Sequence, residues 1–378
     1  MTRGKRWHPS QESDELVFAA CNRFLSQLGT QFDPHATADD SERRGAATAV
    51  AEWLQQEWQR EDLTREKIYP LFWEAARRHF LFLRPPRETD LAQRIAARYG
   101  LDEYRRDPES LLVVNTRGAD AFKHVASVGA DLVLSLIKRL GKKKRPVHIG
   151  LGAGFATMIV ARRLAHLLHS DLDCPDLVLH ALSAGGFLVD RPEKVPVTYF
   201  GYFDGALPKV EVVPLFSETV VPSNEYERVM QNPGVRNSLD RAAEIDIVVT
   251  SLASAKDEHG LLGQYLEYLG RMESETNALK RMVDNGWVGD VQFRPYTAEG
   301  AIIDGCPVKA VTLFEISDLV ERAKTPDKYV VLLAGPCGEC SRPKTDAIIP
   351  LLKQPNLRVW THLVTDVETG ARLLSPIE

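Results

Sequence analysis

The chain has 378 residues, a formal net charge of -5 and a pI near 6.1, so no global basicity draws it to nucleic acid and any DNA contact needs a local basic patch. That length exceeds one typical core and implies two domains, one of them large. Five cysteines do not read as a disulfide framework, MTRGKRWHPSQESDEL has no apolar signal-peptide core, and no later run reaches spanning length; the expectation is a cytoplasmic protein with no membrane partner.

The first 86 residues read as helical, with apolar residues at helical spacing from Asp14 to Leu28, Ala46 to Trp58 and Thr64 to Phe80. Leu81, Phe82 and Leu83 suit a short strand that Pro85 and Pro86 stop. Three helices and a strand outline a winged helix, assigned to residues 1–86. A polar helix from Glu88 to Tyr99 opens the larger part, residues 87–378. There the runs LLVV, VHIGLG, LVLHALS, VEVVPLF, IDIVVTSL, YVVLLAG and RVWTHLVTD alternate with helical or loop segments. The fold class is therefore α/β, a doubly wound and mostly parallel sheet covered on both faces. Ligands in such sheets gather at the carboxyl ends of strands.

The strand end with the clearest chemistry lies in PVHIGLGAGFATMIVARRLAHLL, residues 146–168. Gly150, Gly152 and Gly154 permit tight turning, and the start of the next helix presents unpaired N–H groups and a positive dipole end to an anion. A plain strand-to-helix turn is the competing reading. A dinucleotide fingerprint fails, because Phe155 or Thr157 falls where its last glycine belongs and His180 stands where a ribose-binding acid is wanted. No Gly-Lys-Ser/Thr follows, which removes the ATP-type loop. A smaller phosphorylated ligand is left, with no cofactor.

Two more strand ends carry candidates. In LLAGPCGECSRPKTDAII, Gly335 ends a strand and a loop delivers Lys344 to a helix start, where an ammonium can neutralise phosphate or hold a sugar oxygen; an ordinary surface lysine is the alternative. In LVTD, Asp366 either contacts ligand or, as the favoured reading, caps the following helix. Cys337 and Cys340 form a CxxC pair that can hold half of a zinc site, but no second half is visible: Cys306 and His362 are single candidates far off in sequence, and no metal is expected.

From about Thr64 onward, the order of these motifs resembles the SorC-type sugar-binding transcriptional regulators, whose effector domain is similar to the glucosamine-6-phosphate deaminase and ribose-5-phosphate isomerase fold. GFATM resembles the family's Gly-Gly-Thr-Thr-Met-like loop; Gly154, Thr157 and Met158 are kept, while Phe155 and Ala156 depart and remove one hydroxyl and one flexible position. Asn232-Pro233-Gly234-Val235 through Val249 resembles a second segment, with Thr250-Ser251-Leu252 where members carry Gly-Ile-Gly. Asp290 in GWVGDVQFRPYTAEGAII falls where an acidic residue would bind vicinal hydroxyls, or is a turn residue. Ala334-Gly335 and Lys344-Thr345-Asp346-Ala347-Ile348 match an Ala-Gly-Gly-x-x-Lys motif with extra residues between, and THLVTDVETGARLL resembles the closing segment. The resemblance implies a sugar-phosphate effector held by Gly152, Gly154, Phe155, Ala156, Thr157, Asp290, Gly335, Lys344 and Asp366. It also implies a homo-oligomer.

At the other end, Thr64-Arg65-Glu66-Lys67-Ile68 is similar to the start of the family's DNA-recognition helix. Thr64, Arg65, Lys67, Arg77, Arg78 and Arg84 are the DNA-binding candidates; residues 63–87 hold six Arg/Lys against Glu66 and Glu74. Pro70 argues against this, since it removes a donor inside that helix at about 3 kcal/mol or more and predicts a kink or a late start. The preceding AVAEWLQQEWQRED also lacks the family's Gln-x-x-Ile-Ala pattern. The reading is thus a sugar-phosphate-responsive regulator and not an enzyme. Its rivals are an isomerase or deaminase using Asp290, Glu299 or His259 as a base, and a sugar-binding protein that has lost DNA binding.

Overall fold

Alternation along the strands decides the architecture of the larger part. Val330 and Leu332 belong to one apolar core and Val331 and Leu333 to the other, and Leu363 and Val364 divide in the same way, so the sheet is buried on both faces. The computed structural model describes residues 7–31, 45–78, 80–81, 84–144, 146–169, 171–185, 192–272, 278–302, 306 and 308–375. The chain divides into two units, Met1–Leu83 and Arg84–Glu378.

In the first unit the helices Asp14–Gln31, Ala46–Glu57 and Arg65–Arg77 share one core. Leu16, Val17 and Ala20 meet Val50, Ala51 and Leu54, and Leu63, Ile68, Leu71 and Ala75 close it. Pro70 neither ends the third helix nor delays it: the helix starts at Arg65, with Thr64 in extended backbone as its N-cap, and runs through the proline. Packing of Ile68 and Leu71 on either side of Pro70 outweighs the lost hydrogen bond. The expected wing strand is not seen among the described residues, where Leu81 belongs to no regular element; Phe82 and Leu83 lie outside them.

The second unit contains, in chain order, β1 (Leu111–Val114), β2 (Val147–Leu151), β3 (Leu177–Ala181), β4 (Val210–Val213), β5 (Val220–Pro222), β6 (Ile247–Ser254), β7 (Gly289–Val291), β8 (Arg294–Tyr296), β9 (Val308–Ala310), β10 (Tyr329–Leu333) and β11 (His362–Asp366). The main sheet has the order β1-β11-β10-β6-β2-β3-β4, with every neighbouring pair parallel. All seven strand runs read from the sequence are present. Helices Ala121–Gly141 and Phe155–Leu168 cover one face, and Thr89–Tyr99, Ile316–Lys324 and Thr345–Lys353 contribute to the core on the other.

The winding places a crevice. From β2 the chain proceeds outward through β3 and β4, then β6 returns to lie between β2 and β10. The loops leaving β2 and β6 therefore part on opposite sides, which is the switch point where doubly wound sheets take ligands. β6 also outlasts its parallel partners: Leu252, Ala253 and Ser254 pair antiparallel with β7, and β7 pairs with β8, so a hairpin rises at the carboxyl end. Among the described residues no helix is long and apolar enough to cross a membrane.

Candidate functional site

At this crevice lies a cavity of about 480 Å³, a size suited to a small metabolite. The β2 loop supplies Gly154, Phe155 and Ala156, the end of β6 supplies Ser251, Leu252 and Ala253, and the hairpin supplies Asp290, Gln292 and Phe293. After β10 come Gly335 and the CxxC loop, and Lys344 stands at the start of the next helix.

Gly154 is required by its backbone, with φ +115° and ψ 166°, a conformation that L side chains rarely adopt. Its N–H donates to the Lys194 carbonyl at 3.0 Å, and its carbonyl accepts the first intrahelical bond from Met158. The N–H groups of Phe155, Ala156 and Thr157 thus occupy the first turn, ahead of any intrahelical acceptor, where the helix dipole is positive. Lys194 adds a cation beside this turn, its Nζ 5.8 Å from the centre of the Phe155 ring and 3.0 Å from Glu339 Oε1.

Across the cavity, Lys344 Nζ donates to the Leu252 carbonyl at 2.8 Å rather than to a carboxylate. Asp290 is buried and its Oδ2 has no hydrogen-bond partner. Burial raises its carboxyl to about 7, against the downward pull of the Lys344 ammonium and the Phe293 backbone N–H. Gln292 and Phe293 form the two-residue turn of the hairpin, with φ 52° and 60°. Asn-Gly is the usual pair in such a turn, so two larger side chains here store strain at the cavity wall. Both polar atoms of the Gln292 amide are buried and unpartnered.

Three of the expected effector residues lie off this wall. Gly152 donates its N–H to the Val249 carbonyl at 2.9 Å, and a Cβ there would stand 3.1 Å from Thr250 Oγ1, so its smallness serves strand packing. Thr157 is fully buried and its hydroxyl does not line the cavity, although its N–H belongs to the first helical turn. Asp366 accepts from the N–H groups of Glu368 and Thr369 and from the Thr369 hydroxyl, and is a helix cap. Gly154, Phe155, Ala156, Asp290, Gly335 and Lys344 share the cavity. Lys194, Gln292 and Glu339 were missed: Lys194 and Glu339 meet only through the fold, and Gln292 carried no motif.

Other candidates fall elsewhere. Neither Cys306 nor His362 is near the CxxC pair; Cys306 packs on the hairpin core, and His362 is buried beside Tyr329 and Asp107. Glu299 hydrogen-bonds Thr297 at an exposed turn outside the cavity, whereas His259 is on the wall.

The expected DNA-contacting cations are more heavily paired than their charge count implies. Glu74 takes Arg77 at 2.5 Å and Arg78 at 2.7 Å, which holds its carboxyl at about 2, and Arg78 also reaches Asp14 at 2.6 Å. Lys67 donates to the Asp62 carbonyl at 2.7 Å, and Arg84 pairs with Asp131 at 3.0 Å. Residues 1–83 hold 11 Lys/Arg against 13 Asp/Glu, so the first unit is not basic overall. On the third helix the exposed residues Arg65, Tyr69, Trp73 and Arg77 follow one another at four-residue spacing, giving a face part cationic and part aromatic.

No protein-family model matches the sequence, and no curated protein does. Solved structures do match. The full-length sorbitol operon regulator SorC from Klebsiella pneumoniae aligns over 96% of this chain and 100% of its own, with a TM-score of 0.60 and 16% identity. The chain has the SorC fold. A probable sor operon regulator from Shigella flexneri aligns over 75% of this chain and 98% of its own, with a TM-score of 0.54 and 17% identity. A DeoR family transcriptional regulator from Listeria monocytogenes has the same 75% and 98% coverage, a TM-score of 0.52 and 18% identity. The SorC fold accounts for the α/β class and the helical first unit, and it is the fold that the motif order implied.

Proposed function

We propose that the protein is a sugar-phosphate-responsive transcriptional regulator whose effector occupies the cavity between Gly154 and Lys344. The single observation that carries this reading is the convergence of a helix N-terminus, an ammonium held by a carbonyl rather than a carboxylate, and an unpartnered carboxyl oxygen on one metabolite-sized cavity. The phosphate lies on the N–H groups of Phe155 and Ala156, with Lys194 beside it. Sugar hydroxyls turn to Asp290 Oδ2 and the Gln292 amide, which gain the partners they lack. Lys344 neutralises the anion or holds a sugar oxygen, and Gly335 leaves room for the ligand. The domain boundary proposed at residue 86 lies three residues past the division between the two compact units, Met1–Leu83 and Arg84–Glu378.

Regulation follows from linkage. Effector binding favours one homo-oligomeric arrangement and changes the spacing of the first units on DNA. Arg65, on the exposed face of the third helix, and Thr64 at its cap are the contacts retained for DNA; Lys67, Arg77, Arg78 and Arg84 contribute less because carboxylates or carbonyls already engage them. The sorbitol operon regulator named above supports this reading by fold. We read the site as a binding site rather than an enzyme centre, a reading that the regulators of similar fold support; Asp257, His259 and Glu339 line the same cavity as Asp290, so turnover is tested directly.

A thermal-shift panel of phosphorylated and free sugars on the full chain tests the proposal. Stabilisation by a phosphorylated sugar without product, abolished in Lys344→Ala, is expected. Equal stabilisation of wild type and Lys344→Ala removes the lysine from the site, and turnover of the sugar makes the protein an enzyme. Mobility shifts on candidate operators at several salt concentrations test the DNA step; salt-insensitive or absent retardation refutes it.

A further inference from the structure

The fold supplies the second half that the CxxC pair lacks in sequence. β6 and β10 are neighbours, so the loop after β6 and the loop after β10 leave the sheet side by side. The first brings Asp257 and His259, the second Cys337 and Cys340. His259 Nδ1 is 3.4 Å from Asp257 Oδ1 and 3.7 Å from Cys337 Sγ, and one ligand atom from each of the four residues lies within 4.8 Å of all the others. Bond lengths of about 2.0–2.3 Å around a tetrahedral zinc place ligand atoms roughly 3.3–3.8 Å apart. The cluster is therefore close to the dimensions of a coordination shell.

We propose that Asp257, His259, Cys337 and Cys340 form a binding site for one zinc-class divalent cation at the rim of the cavity. The donor set of two thiolates, one imidazole and one carboxylate suits zinc by softness and by number, and four protein ligands make a closed site. The surrounding shell is in place. The His259 backbone N–H donates to Asp257 Oδ1 at 3.0 Å and orients that carboxylate. Glu339 Oε2 stands 3.5 Å from Nε2, the ring nitrogen left outside the cluster, so that Nδ1 is the metal-facing atom. The CxxC loop is closed on itself by the Cys337 N–H to the Arg342 carbonyl and the Ser341 N–H to the Cys337 carbonyl, both 2.9 Å. Arg342 Nη1 ties it to the Lys256 carbonyl at 2.7 Å.

Binding releases one proton from each thiol to solvent, and no electron moves. The ion cross-links the 255–260 loop to the 336–342 loop and fixes one rim of the cavity. This site is independent of the sugar-phosphate reading, and its test needs no sugar.

The test uses the full chain, reduced and freed of metal by a chelator, titrated with zinc against a chromophoric competitor and separately with cobalt(II). One ion per chain is expected, with a thiolate-to-cobalt charge-transfer band and the visible bands of tetrahedral cobalt. Cys340 is solvent-exposed, so Cys340→Ser should fold as the parent does. Cys340→Ser and His259→Ala should each bind zinc at least about tenfold more weakly with an unchanged circular dichroism spectrum. No uptake by the reduced wild-type chain, or uptake that both variants retain at wild-type affinity, overturns the proposal.

Discussion

Replacing Asp290 by Asn separates the stability of the site from its use. Asp290 is buried, and its carboxyl sits at about 7 rather than 3.8 because burial disfavours the charged form. A folded-state value above the unfolded one means that the unfolded chain ionises first as pH rises. Asp290 is then neutral in both states below about 3.8, costs progressively more stability between 3.8 and 7, and reaches its full penalty above 7. About three pH units at ~1.4 kcal/mol each give an upper figure of ~4 kcal/mol. Asn keeps the shape without the charge, so the apo variant should unfold several degrees higher than wild type at pH 8 and at nearly the same temperature at pH 4. It should also lose most of its response to sugar phosphate. Scanning calorimetry of both proteins across this range checks the first point, and the same scans with ligand check the second. A variant that is less stable than wild type at pH 8, or a difference that does not change with pH, refutes the argument that Asp290 is a strained, ligand-directed carboxyl.

Three further outcomes are expected. Gly154→Ala should cost about 1–3 kcal/mol, because φ +115° is hostile to a Cβ, and should abolish sugar-phosphate binding by turning the first-turn amides; retained affinity in calorimetric titration counts against the anion site. Burial lowers His180 to about 3 and His362 to about 4 from 6.5, so the unfolded chain takes up protons first and stability falls as pH drops below 6.5, by about 1.4 kcal/mol per unit for each histidine until its folded value is reached. Denaturant melts of His180→Gln and His362→Gln between pH 7 and 4 should show shallower losses than wild type. On DNA, Arg65→Ala should lower the salt slope by about one, while Arg78→Ala should leave it nearly unchanged and lower stability instead, since that guanidinium already holds Glu74 and Asp14.

The strands were legible in the sequence because full burial on both faces leaves continuous apolar runs, and parts of the cavity wall were legible wherever a backbone demand or a motif marked them. Gly154 and Lys344 are of this kind. Gly152 packs β2 on β6 and lies off the cavity wall, and a glycine needed for close packing is written in the same letter as one needed for a ligand. Asp366 was correctly weighed toward its cap, since an aspartate before a helix satisfies local N–H groups first. The strained Gln292-Phe293 turn had no signal, because its residues contradict the usual turn chemistry. Pairings across long separations, such as Lys194 with Glu339 or His259 with Cys337, depend on which strands become neighbours, and local pattern does not record that. The charge count of residues 63–87 overstated the cationic face, since carboxylates from Asp14, Asp62, Glu74 and Asp131 return to it in the fold.

A crystal structure of the full chain grown with the sugar phosphate that stabilises it most is the decisive measurement. The phosphate should lie within about 3 Å of the N–H groups of Phe155 and Ala156, with a sugar hydroxyl on Asp290. A ligand bound away from the Phe155–Leu168 helix N-terminus, or a cavity left empty at saturating ligand, contradicts the assignment.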